Sequence, residues 1–72
     1  MLLPVYSGQK FSYSLDSDSG EYFLFENDFR AFIFLKGRDA RLFRKEMERL
    51  DALPPPDSNS GLLTERLIKR FL

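Results

Sequence analysis

The 72-residue sequence contains no cysteine and no histidine. The lack of cysteine excludes disulfides and thiolate metal sites. The lack of histidine removes the commonest metal ligand and the usual base near neutral pH, so the familiar nucleophile–base pairs are absent. We therefore expect no enzymatic activity, no catalytic residues, no metal site and no cofactor.

Long apolar runs are also missing. No stretch approaches the roughly 20 apolar residues that a transmembrane helix needs. The first ten residues, MLLPVYSGQK, have neither the basic leader nor the apolar run of a signal peptide. We expect a cytoplasmic protein with no membrane span.

The length predicts one small domain covering residues 1–72. A chain of this size buries only about 60% of the surface that its unfolded form exposes. Small folds gain further stability from disulfides, a metal ion or oligomerisation. Because the composition excludes the first and disfavours the second, oligomerisation is the expected source of additional burial.

The first half of the sequence has strand patterns. In residues 10–16, KFSYSLD, apolar and polar residues alternate, which is typical of a strand with one buried face. Residues 2–8, LLPVYSG, predict a short edge strand, since Pro4 is tolerated only near an edge or a strand start. Residues 16–20, DSDSG, are turn formers and predict a hairpin loop.

Two apolar runs, YFLF and AFIFL, flank a polar break at Asn27 and Asp28. A two-residue turn there predicts a hairpin in which Phe23 lies opposite Phe32. Alternation then divides the apolar residues between the two faces. One face carries Phe23, Phe25, Phe32 and Phe34, and the other carries Tyr22, Leu24, Ala31, Ile33 and Leu35. Both faces of this hairpin are therefore apolar.

The second half predicts two helices. In residues 38–53, Ala40, Phe43, Met47 and Leu50 fall within an arc of about 80°, a stripe that faces a core. A proline-rich connector at 54–61 follows, and residues 62–72 predict a short second helix with one apolar side. The fold class is α+β: an antiparallel three- to four-stranded β-meander, with strands within residues 2–36, followed by two α-helices.

The helix at 38–53 can cover only one face of the sheet. The other face could be wrapped by the first strand pair and the C-terminal helix of the same chain. We favour packing against a second copy, since large exposed apolar patches are usually interaction sites. The expected self-association residues are Phe23, Phe25, Phe32, Phe34, Leu67 and Phe71, with the C-terminal helix exchanged between chains as an option.

Charge is unevenly distributed although the net charge is zero. Residues 1–28 hold one lysine and five acidic residues, whereas residues 29–72 hold ten basic and six acidic residues. A basic stripe, opposite the apolar stripe of the first helix, predicts contact with a protein partner or with phosphates. It comprises Arg38, Arg41, Lys45 and Arg49. A solvated helix face, or one neutralised by the acidic hairpins, is the simpler interpretation.

The acidic residues carry little chemistry. DSDSG resembles the start of a calcium loop, but counting from Asp16 puts glycine at position five, where the loop requires it at six. The pairs Asp16/Asp18 and Glu26/Asp28 lie at predicted exposed turns, where we expect them to titrate normally rather than as a tuned acid and base.

Together these features predict a small non-catalytic protein-interaction module that forms a homodimer, such as an adaptor, inhibitor or accessory subunit. Another protein is a further candidate partner. The alternative is a small nucleic-acid-binding regulator that uses the basic stripe, which is open but not favoured because no base-reading motif is present. Binding of the C-terminal helix to a membrane surface is less favoured than docking within the protein.

Overall fold

A computed structural model describes residues 1–53 and 60–72. Four strands form one sheet and two helices follow, which confirms the predicted α+β class. The strands are β1 (Leu2–Ser7), β2 (Phe11–Asp16), β3 (Tyr22–Glu26) and β4 (Phe32–Leu35), and the helices are α1 (Gly37–Asp51) and α2 (Ser60–Phe71).

The sheet is an antiparallel meander in the order β1-β2-β3-β4. Strand β1 lies at one edge, as Pro4 predicts, and its register with β2 shifts between Pro4 and Tyr6. Proline and such irregularities make an edge a poor template for further strand pairing. The opposite edge is formed by β4, which has only four residues.

The β3–β4 hairpin differs from the prediction in its register. Phe23 lies opposite Phe34 rather than Phe32, and five residues, 27–31, connect the strands. Phe29 adopts a φ of 59° and its N–H donates to the carbonyl oxygen of Glu26 at 2.7 Å, which closes the turn. Because the register shift is two residues, an even number, every side chain stays on its predicted face.

Both helices pack on the same face of the sheet. The buried core joins Tyr13, Leu24 and Leu35 of the strands to side chains of both helices, namely Ala40, Phe43, Leu67 and Ile68. The predicted core stripe of α1 is confirmed, with Met47 and Leu50 partly buried beside it. Within the described residues, neither helix covers the other face of the sheet.

The helix boundaries differ slightly from those predicted. Helix α1 begins at Gly37 and ends at Asp51, two residues earlier than expected, and α2 begins at Ser60, inside the predicted connector. The rest of that connector, 54–59, lies outside the described residues.

Contacts at its first turns hold α2 against the β1–β2 turn. The Tyr6 hydroxyl donates to the Gly61 carbonyl at 3.1 Å, and Glu65 Oε1 accepts from the backbone N–H groups of Lys10 and Phe11 at 2.8 and 3.1 Å. Helix α2 lies so close to the β1–β2 turn that position 8 has no room for a side chain. A Cβ there would lie 2.6 Å from Glu65 Oε1 and 2.5 Å from the Phe11 carbonyl oxygen.

The Glu65 contact predicts a specific loss of stability in acid. The backbone N–H of Lys10, and then that of Phe11, holds the pKa of Glu65 below its usual value. A lowered folded-state pKa contributes stability above the unfolded value near 4.5, and this contribution is lost as the pH falls through the folded pKa. We expect Glu65→Gln to lower the free energy of unfolding by about 1–2 kcal/mol at pH 7, since a charged acceptor is replaced by a neutral one.

The measurement is urea unfolding at pH 7 and at pH 3, with Glu48→Gln as the matched control. Glu48 is exposed and its nearest cation, Arg44, is 3.8 Å away. The difference between Glu65→Gln and the parent should be smaller at pH 3 than at pH 7, because the charge on Glu65 is lost progressively as the pH falls. A difference that stayed constant with pH would contradict the proposed contact.

Candidate functional site

The outer face of the sheet, away from the helices, carries a cluster of aromatic side chains. Phe23 pairs with Phe34 and Phe25 pairs with Phe32 across β3 and β4. All four share this face because their neighbours along the chain, Leu24 and Leu35, lie in the core. The turn residue Phe29 joins them. We call these five residues the phenylalanine face.

The rings of the phenylalanine face contact one another in a chain. Phe34 stacks on Phe23 with ring centroids 4.6 Å apart, and Phe23 stacks on Phe25 at 5.1 Å. Phe25 in turn stacks on Phe29 at 5.2 Å with the two rings only 7° from parallel. Phe32 lies against Phe23 at 6.1 Å in a tilted arrangement. The five rings therefore form one contiguous apolar surface rather than scattered exposed residues.

Three of these rings are largely exposed to solvent. Phe29, Phe32 and Phe34 are 59%, 62% and 46% exposed, and Phe23 and Phe25 are half-buried. With roughly 200 Å² for a whole ring, the three expose about 300–400 Å² of apolar surface. That matches the largest patches on typical monomers, which are often functional.

The neighbouring strand borders the phenylalanine face with small polar side chains. Ser12 pairs with Phe25 across the sheet, and Ser14 pairs with Phe23. The Ser12 hydroxyl lies 2.6 Å from Asn27 Oδ1, and Asn27 Nδ2 donates to the Gly8 carbonyl at 2.8 Å. Asn27 thus ties the β3–β4 turn to the β1–β2 turn and holds the tip of the hairpin in position.

The structure separates the predicted self-association residues into two groups. Phe23, Phe25, Phe32 and Phe34 lie together on the outer face. Leu67 is only 4% exposed in the core, and the ring of Phe71 packs edge-on against Phe43 at 5.4 Å. These two residues lie on the opposite side of the sheet from the phenylalanine face, so the structure does not bring them together with it.

Phe29 was not among the predicted site residues. The sequence pattern assigns it to the start of a strand, directly after Asn27 and Asp28, whereas it is a turn residue in the left-handed region. No feature of the sequence marks it, since phenylalanine is seldom found at positive φ.

The basic stripe lies on the exposed side of α1, and its four members differ in their pairing. Arg49 Nη1 lies 3.2 Å from Glu46 Oε1. Among residues 1–53 and 60–72, Arg38, Arg41 and Lys45 form no ion pair. Leu42 is also exposed and lies just outside this stripe. The structure therefore leaves three cations and one apolar side chain facing solvent together.

The expectation that the turn carboxylates titrate normally is wrong for three of them. Contact with the Asp28 carboxyl raises the pKa of Glu26, and the backbone N–H of Arg30 lowers the pKa of Asp28. The backbone N–H of Asp18 lowers the pKa of Asp16. The causes are local: a backbone N–H of a tight turn points at Asp16 and another at Asp28, and the neighbouring carboxyl acts on Glu26. Asp16 and Glu26 are the last residues of β2 and β3, and Asp28 lies in the turn that follows Glu26.

The described part of the chain has neither a metal-binding cluster nor a membrane-spanning helix. No group of three or more acidic side chains is arranged to hold a metal ion. No helix is both long and apolar enough to cross a membrane.

Comparison of the chain with protein-family models, with curated proteins and with solved structures finds no match.

Adjacent residues of β4 provide a test of which face is buried. Leu35 is 2% exposed and Phe34 is 46% exposed. We expect Leu35→Ala to cost about 2–5 kcal/mol, because it leaves a cavity in the core. Phe34→Ala should cost about 1 kcal/mol, mainly the stacking on Phe23. Urea unfolding at high dilution measures both, and equal costs would contradict the assignment of the faces.

Proposed function

We propose that this protein is a small non-catalytic interaction module that forms a homodimer through the phenylalanine face. The observation that carries the proposal is the contiguous cluster of five rings on the sheet face that neither helix covers. Stacked aromatic rings supply large contact areas with few rotatable bonds, which is why they dominate the energetics of interfaces.

A second copy of the chain fits this surface for two reasons. The five side chains are uncharged and the whole chain has zero net charge, so two copies approach without repulsion. A dimer about a two-fold axis brings the same patch of each chain together, and an uncharged ring cluster is complementary to itself. No charge on the face selects for a different partner.

The area of the surface is small compared with that of stable interfaces. The three exposed rings would contribute about 600–800 Å² from both copies, against about 1,200–2,000 Å² in stable interfaces. Phe23, Phe25 and the adjoining serine row would supply part of the remainder. This supports an interface at the small end of the range, and we expect a dissociation constant in the micromolar range.

Sedimentation equilibrium over a dilution series tests the proposal. The parent chain should change from monomer to dimer as its concentration passes through the micromolar range. We expect Phe32→Ser to weaken the dimer at least ten-fold, since truncation of a central interface aromatic removes well over 1 kcal/mol. Phe32 suits the test because its high exposure means that the folded monomer depends little on it.

The matched control is Leu42→Ser, which removes an exposed apolar side chain from α1 instead of from the sheet. This variant should dimerise as the parent does. A parent that stays monomeric at hundreds of micromolar, or a dimer weakened equally by both variants, would reject the phenylalanine face as the interface.

A second candidate function is the binding of phosphates, such as a nucleic-acid backbone, by the basic stripe. The supporting observation is that Arg38, Arg41 and Lys45 point to solvent without an ion pair in the described parts of the chain. Like charges spaced three and four residues apart disfavour a helix slightly, so an external anion would relieve their repulsion.

The double substitution Arg41→Glu/Lys45→Glu tests this candidate. In the parent, affinity for duplex DNA should fall steeply as salt rises, with a logarithmic slope near −0.9 for each phosphate neutralised. The variant should lose this binding and keep its dimerisation. Normal DNA binding by the variant would remove the proposed site, and an absence of binding by the parent would remove the candidate function.

A further inference from the structure

Phe29 occupies a backbone conformation that is unfavourable for a bulky side chain. Its φ is 59°, and it is the single residue other than glycine with a positive φ in the described chain. The left-handed region crowds Cβ against the neighbouring carbonyl oxygen. The cost corresponds to a roughly five- to thirty-fold reduction in the folded-to-unfolded ratio. Glycine or asparagine would relieve most of it.

The hydrogen bonds of the turn do not depend on the side chain at position 29. The N–H of Phe29 donates to the Glu26 carbonyl, and the N–H of Arg30 donates to Asp28 Oδ1 at 3.1 Å. Arg30 Nε also pairs with Asp28 Oδ2 at 3.2 Å. Each contact uses the backbone of residue 29 or the side chains of its neighbours. The turn therefore gives no reason for a phenylalanine at this position.

The ring itself returns little to the folded monomer. One of its faces stacks on Phe25, which corresponds to a roughly two- to twelve-fold gain in the folding equilibrium. The ring is nevertheless 59% exposed, so most of its surface remains in water. The ranges of the stacking gain and of the backbone cost overlap, so the stacking contact gives the isolated chain little net stabilisation.

The position of the ring suggests what it does. Phe29 extends the phenylalanine face beyond the last paired residues of β3 and β4, to the tip of the hairpin. Asn27 donates hydrogen bonds to the β1–β2 turn, and these bonds hold the tip of the hairpin, and with it the ring, in position. Strained backbone that the surrounding structure holds in place is typical of binding sites.

We propose that Phe29 is an anchor residue for a second copy of this chain, which keeps its backbone strain because the ring is needed in the dimer interface. This inference rests on the proposed homodimer. It goes further by assigning a binding role to a turn residue outside the strands. Replacing Phe29 with asparagine should weaken the dimer without lowering the stability of the folded monomer.

Three substitutions at this one position separate the ring from the backbone. Phe29→Asn removes the ring and relieves the strain, Phe29→Ala removes the ring and keeps the strain, and Phe29→Tyr keeps both. Each chain is measured twice: by sedimentation equilibrium for dimer affinity, and by urea unfolding at a concentration far below the dissociation constant for monomer stability.

We expect Phe29→Asn and Phe29→Ala to weaken the dimer by the same factor, at least ten-fold. Phe29→Asn should leave the folded-to-unfolded ratio of the monomer equal to or above that of the parent, and Phe29→Ala should lower it. Phe29→Tyr should match the parent in both measurements. This opposite movement of stability and affinity in Phe29→Asn is what a purely structural role would not produce.

The contrary outcomes are distinct. If Phe29→Asn dimerises as tightly as the parent while Phe32→Ser does not, the anchor role is overturned and the homodimer stands. If Phe29→Asn destabilises the monomer, Phe29 stabilises the fold and the strain argument is overturned. If the parent chain does not dimerise at all, both the homodimer and the anchor role are overturned.

Discussion

The two-sided nature of a β-sheet governs this structure. Side chains alternate between the two faces of every strand, so a four-stranded sheet needs two covers if both of its faces are apolar. The chain has two helices, and both pack on the face that carries Tyr13, Leu24 and Leu35. The exposure of the phenylalanine face follows from that arrangement, because neither helix covers the side of the sheet on which these rings lie.

The position of α2 depends on a small number of polar contacts. Glu65 and Tyr6 join the first turns of this helix to the β1–β2 turn, and Gly8 permits the close approach. Leu67 and Ile68 then complete a core with Phe43 of α1. The contacts that stabilise the monomer on one side of the sheet thus exclude this helix from the other side.

The sequence predicts the content of each sheet face better than the details of the turns. The assignment of Phe23, Phe25, Phe32 and Phe34 to one face survives a register error, because the error is two residues and the period of the strand is also two. The turn itself is not predicted, since Asn27 and Asp28 favour a two-residue loop and nothing in the sequence suggests a phenylalanine at positive φ.

The sequence also does not predict the side of the sheet on which α2 packs, because an amphipathic pattern shows which side of a helix is buried and not what buries it. The sequence does not distinguish Glu65 from other surface residues, because its two backbone partners are brought together only by the folded β1–β2 turn.

The central claim is that the uncovered face of the sheet meets its equivalent in a second chain. The most direct measurement is an isotope-filtered NOE experiment on an equimolar mixture of labelled and unlabelled chains, which detects only contacts between different molecules. The account predicts intermolecular NOEs among the ring protons of Phe29, Phe32 and Phe34, and none from Leu42 on the outer side of α1. Intermolecular NOEs confined to the helices, or none at concentrations of hundreds of micromolar, would contradict it.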